Sequence, residues 1–263
     1  MSAATSVPVG TGTGRDTLVR EAERRAVRSA AAVTVRVVAT IGAWYWAIFA
    51  VIAVAVVLGT VRWGSGMDQG VVDAQMGGSS RWFVLVLGLI IPATYLRLHV
   101  AAGGTRRSMT TGTVQGALVS GLLIGAVTAL YLVGERALFG ALDLTWAREF
   151  GLPVGGYGGI ALTVVSEALV AATYYLVGAT IAAGYYRLGV VRGSLYILVA
   201  LVPAALVDLA SRTGVTALVL GPESLPDGAA GVLLGLGAGA AAVALAAWLF
   251  RAPLRSVPLR PAV

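Results

Sequence analysis

The chain has 263 residues, of which 58% are hydrophobic and only 12% charged, with a mean hydropathy of +0.86. A water-soluble domain carries about twice that share of charge, so most of this surface is built for lipid. All 19 cations are Arg, Cys is absent and His occurs once, which excludes disulfides, thiolate metal sites, H-E-x-x-H metal motifs and a lysine-bearing Walker A loop.

Residues 1–14 are small, polar and glycine-rich, the composition of a disordered tail. No apolar run follows closely enough for a cleavable signal peptide. Residues 15–40 read as an amphipathic helix. Leu18, Ala22, Ala26, Ala30, Val33 and Val37 recur at helical spacing, against Arg20, Glu21, Glu23, Arg24, Arg25 and Arg28 on the other side. Such a helix suits the membrane interface.

Residues 41–250 contain six apolar segments, giving an all-α polytopic membrane domain of six transmembrane helices. They are Ile41–Val61, Trp82–Val100, Thr113–Gly134, Tyr157–Tyr186, Ser194–Leu209 and Gly228–Phe250. A span needs about 20 residues, and only the Ser194 segment falls short. With the N-terminus inside, residues 1–40, 101–112, 187–193 and the tail 251–263 hold 13 Arg, whereas the outer loops hold 5. The positive-inside rule then places both termini in the cytoplasm. Between spans, residues 135–156 carry Leu138, Phe139, Leu142 and Trp146 at helical spacing, as in a short helix on the outer face. Residues 212–227, with Pro222 and Pro226, read as irregular.

Glu167 lies about 15 Å from the outer end of its span. An ionisable group at that depth is expensive and ordinarily faces the bundle interior or a cavity. Thr163, Ser166, Val170 and Tyr174 lie on or beside its face, so Glu167, Thr163, Ser166 and Tyr174 form a candidate pathway. Asp208 has Arg212 four residues on, the spacing of a surface ion pair. Arg97 and His99 sit where a helix meets the cytoplasm and read as interface anchors. Pro92 and Pro203 fall within spans and predict kinks. The spacings Gly121-x-x-x-Gly125, Gly231-x-x-x-Gly235 and Gly235-x-x-x-Gly239 permit close helix approach. No cluster suits catalysis or a metal.

The inside stretch Gly103-Gly104-Thr105-Arg106-Arg107-Ser108-Met109-Thr110-Thr111-Gly112, between the second and third segments, resembles the ABC-2 family of transporter permeases. The amphipathic helix before the first span and the turn Tyr185–Gly193 are similar to features of that family too. The resemblance implies that Thr105, Arg106, Arg107, Ser108 and Met109 form a short coupling helix docking on an ATPase subunit. It implies two permease copies, or one copy with a related permease, in a bacterial plasma membrane. ATP and Mg2+ would sit in the partner ATPase and no cofactor in this chain, which would export a drug, lipid or peptide and bind no nucleic acid. Two other readings stay open: an ion- or proton-coupled carrier using Glu167, and a non-transporting immunity or sensor subunit.

Overall fold

The computed structural model describes residues 13–64, 70–75, 78–147, 151–152, 156–220, 226 and 228–254. Residues 1–12 of the expected tail over 1–14 and most of the C-terminal tail fall outside them, while Thr13 and Gly14 already belong to a helix. The described residues build helices and turns: α1 (Thr13–Trp63), α2 (Val71–Gln75), α3 (Ser79–Ala101), α4 (Arg106–Ala141), α5 (Gly156–Ala200), α6 (Val202–Ser211), α7 (Gly214–Leu220) and α8 (Gly228–Leu254). Five helical runs are long and apolar enough to cross a membrane: Arg15–Trp63, Ser79–Ala101, Arg106–Ala141, Gly158–Ser211 and Gly228–Leu254. The chain is a multi-pass helical membrane protein by that measure.

The run from Gly158 to Ser211 doubles back. Gly189 has φ +74°, a left-handed conformation that glycine adopts without a Cβ penalty. The Tyr185 and Ser194 hydroxyls are 3.0 Å apart, and a Cβ on Gly193 would lie 3.0 Å from the Tyr185 Cα. In an unbroken helix residues 185 and 193 would be about 12 Å apart.

Neighbours along the helices set their directions. α4 runs alongside α1 in the same sense, with Gly112 against Ala30, Gly116 against Thr34, and the Tyr131 hydroxyl donating to the Trp46 carbonyl at 3.0 Å. It runs opposite to the first arm of α5, with Gly121 against Ala172 and Gly125 against Val164. α8 descends beside that arm, with Gly239 against Leu169 and the Thr180 hydroxyl reaching the Ala246 carbonyl. One end of the bundle therefore gathers the α3–α4 turn, the Gly189 turn and the end of α8. It carries Arg106, Arg107, Arg187, Arg192 and Arg251. The opposite end carries Asp73, Glu135, Asp143 and Asp208 with Arg62, Arg81, Arg136 and Arg212.

The core is centred on the first arm of α5, where Tyr174, Tyr175, Leu176 and Val177 are all buried. Small residues let the neighbouring backbones reach it. A Cβ on Gly88 of α3 would overlap the Tyr175 carbonyl, and one on Gly178 would overlap that of Leu85. The glycines at 121, 125 and 235 make close approaches of the same kind within the chain, to α5 and α6, while Gly239 meets the Leu169 side chain.

Several local expectations are corrected. The amphipathic stretch is not a separate element, because α1 continues unbroken from Thr13 to Trp63. At 1.5 Å per residue α1 is about 75 Å long, so the segment extends the first apolar helix. The third apolar segment likewise runs on to Ala141, so Leu138 and Phe139 belong to α4 and not to a separate outer helix. Residues 214–220 are helical where an irregular loop was expected. Pro203 occupies the first turn of α6, where its missing N–H costs nothing, and marks a helix start after Leu201.

Candidate functional site

Three places concentrate polar side chains. The first is at the acidic end. Arg81, in the first turn of α3, and Asp208, in α6, are each 2% exposed and form an ion pair. The Tyr174 hydroxyl of α5 donates to the second Asp208 oxygen at 2.9 Å. The Arg81 guanidinium sits 5.6 Å from the Tyr174 ring centroid, and Trp82 meets that ring edge-on at 5.8 Å. Desolvating either charge alone costs several kcal/mol, which the pairing and the hydrogen bonds to the carboxylate offset. Three helices distant in sequence are thereby tied at one level. Gly214, with φ +72°, turns the chain directly over the pair, where a Cβ would overlap both Asp208 and Arg81.

This overturns the expected Asp208–Arg212 surface pair. Arg212 ends α6 in a left-handed conformation, is buried, and donates to the Pro226 carbonyl at 2.8 Å. It also separates Tyr174 from Glu167. Seven residues of helix put the two about 10 Å apart along the axis, and the tyrosine hydroxyl serves Asp208. Separately, Glu135 of α4 accepts from the Val72 backbone N–H at 2.8 Å and from Trp146 Nε1 at 3.3 Å. It is buried, not a loop acid.

The second place lies about two turns nearer the Gly156 end of α5 than Tyr174. Glu167 is 4% exposed in α5, beside the face that packs on Gly121 and Gly125. Thr163 donates to the Gly159 carbonyl at 2.8 Å and Ser166 to that of Thr163 at 3.2 Å. Both hydroxyls are thus spent on their own helix. Of the four residues named from the sequence, Thr163, Ser166 and Glu167 share one turn of α5, and the Tyr174 hydroxyl is bound to Asp208.

The third place is the basic corner. Gly103, at φ +86°, closes α3, and its N–H bonds the Val100 carbonyl at 3.0 Å. Gly104 passes so close to His99 that a Cβ would strike the ring. Thr105 then caps α4. Its side chain accepts from the Ser108 N–H, and the Ser108 hydroxyl accepts from the Thr105 N–H, each at 3.0 Å. Such a capping box stabilises a helix start by about 1 kcal/mol. His99, buried, adds a 2.8 Å hydrogen bond to the Ser108 hydroxyl. The motif is therefore a rigid αα-turn, and its residues form the first turns of α4 and no separate coupling helix. Ser108 and Met109 are buried and Thr105 is occupied in capping, which leaves the exposed Arg107 and the half-buried Arg106 at the surface. Arg107 lies 3.8 Å from Glu23 on the exposed start of α1.

Among the described residues no three His, Asp or Glu side chains come together as a metal site. No protein-family model matches the chain, and no match arises among curated proteins or solved structures.

Proposed function

We propose that the chain is the permease subunit of an ABC-2 type exporter, crossing a bacterial plasma membrane six times with both termini in the cytoplasm. A partner ATPase carrying ATP and Mg2+ would drive it, and a second permease would complete the pathway for an apolar or amphipathic cargo such as a drug, lipid or peptide. The observation that carries this reading is the basic corner. Arg106 and Arg107 project from a turn held by two glycines, a capping box and a buried histidine, at the head of a 36-residue helix. A push received there passes along one stiff rod to the other end of the bundle. The reversal at Gly189 supports six crossings, and the arginines at that end favour the cytoplasmic side.

Reversing both charges, Arg106→Glu with Arg107→Glu, should weaken capture of the ATPase by tenfold or more, since like-charge contacts at an interface cost several kcal/mol. ATP-dependent transport should fall with it while the chain stays folded. Co-purification of a Walker A ATPase at full yield with the double variant would overturn the docking role.

The burial of Glu167 favours one rival, a proton-coupled carrier. Glu167→Gln separates the two. The carrier requires transport that runs without ATP, collapses with the proton gradient and is abolished by the variant. The exporter requires ATP-dependent transport that survives a discharged gradient.

A further inference from the structure

Two cavities meet at the basic corner. One is an apolar crevice of about 460 Å³ between α3, α4, α5 and α8, whose lining includes Leu96, Met109, Ala182, Tyr186 and Phe250. The other is a polar cavity of about 640 Å³ lined by Arg106, Arg107, Thr110, Thr111 and Arg251. Leu254 lines both, and the walls run on from Met109 to Thr110 and from Phe250 to Arg251. Each volume falls in the range of small-molecule sites, about 300–1,000 Å³. The crevice is apolar, and among the described residues the polar cavity has three guanidinium groups and no carboxylate in its lining, with Glu23 set beside Arg107. Arg106 and Arg251 are each partly buried, so their field is less screened than that of a fully exposed arginine.

We infer that this pair of cavities is a binding site for an anionic phospholipid of the surrounding bilayer. Its headgroup phosphate lies against Arg106 and Arg251, and an acyl chain lies in the crevice. Charge and shape both select the occupant. A guanidinium fork matches a phosphate oxygen pair, and the adjoining wall offers little to a polar molecule. Five helices long and apolar enough to cross a bilayer bring the chain into contact with phospholipids. Tyr185 and Tyr186 flank the crevice, as aromatic side chains do at the level of headgroups.

The test uses the full chain purified in a neutral maltoside detergent, with retained lipid read by native mass spectrometry. Dioleoyl phosphatidylglycerol should be retained, whereas dioleoyl phosphatidylcholine and glycerol 1-phosphate should not. Arg251→Gln should weaken phosphatidylglycerol about fivefold and Arg106→Gln with Arg251→Gln further, at about 1 kcal/mol per arginine near a phosphate surface. Ala182→Phe, which fills the crevice and leaves every charge in place, should weaken it as well. Arg62→Gln, at the opposite end, should leave retention unchanged. Equal retention of the two phospholipids, or loss in Arg62→Gln as large as in Arg251→Gln, would overturn the site. Arg251 and Ala182 take no part in the proposed ATPase docking, so that reading and this one fail separately.

Discussion

Replacing Arg81 with alanine should destabilise the folded bundle by about 3–5 kcal/mol, because it strands the Asp208 carboxylate among buried side chains. Asp208→Ala should cost a similar amount by stranding the guanidinium. Tyr174→Phe removes one hydrogen bond to a charged acceptor and should cost less, about 1.5–3 kcal/mol. The informative variant is the double one. Arg81→Met with Asp208→Leu removes both charges together and should recover most of the loss, since apolar replacement of a whole buried pair is often neutral. Reversible unfolding of the reconstituted chain in graded denaturing detergent measures all four. Additive losses in the double variant would mean that the two residues do not act as a pair.

The second large effect is expected at Gly178. In an exposed helix, exchanging Gly for Ala gains about 1 kcal/mol from backbone entropy. Gly237 of α8 meets nothing within 4 Å of the Cβ it would gain, so Gly237→Ala should be neutral or mildly stabilising. At Gly178 the same methyl would overlap the Leu85 carbonyl and crowd the Leu89 nitrogen. The obstacle is backbone, which cannot rotate aside as a side chain does. α3 and α5 must separate, loosening the contact between Gly88 and Tyr175 as well. Gly178→Ala should therefore lie at the upper end of the roughly 1–3 kcal/mol that overpacking costs, or beyond it. A shift of the same sign and size at both glycines would remove the case for close backbone contact.

The apolar segments were legible in the sequence because lipid imposes a long, charge-poor run that no turn interrupts. Their ends were less so. Past Gly134 the residues Glu135 and Arg136 resemble a loop, but Glu135 is satisfied by the Val72 N–H and Trp146, so α4 continues for another two turns. The Asp208 contact was hidden by a local decoy. Arg212 stands at the right helical spacing, whereas the true partner is 127 residues away in sequence. The useful signal was that Arg81, at the head of one span, and Asp208, near the outer end of another, share a level in the bundle. Helical spacing placed Glu167 and Tyr174 on one face, but a shared face does not fix height, and the Tyr174 hydroxyl serves Asp208. The Gly103–Ser108 motif was noticed for its family likeness, yet each of its residues but the two arginines has a local duty in the turn.

The unbroken course of α1 has a mechanical consequence. The hydrocarbon core of a bilayer is about 30 Å thick, less than half the length of this helix. Its polar start stands beside Arg107 and continues past the head of α4, at the basic end of the bundle. An unkinked rod held in the bundle on one side and free on the other is a lever. A small rocking among the buried helices swings the Arg15–Arg20 tip through a wider arc, and a load on the tip returns torque to the packing around Gly112 and Gly116.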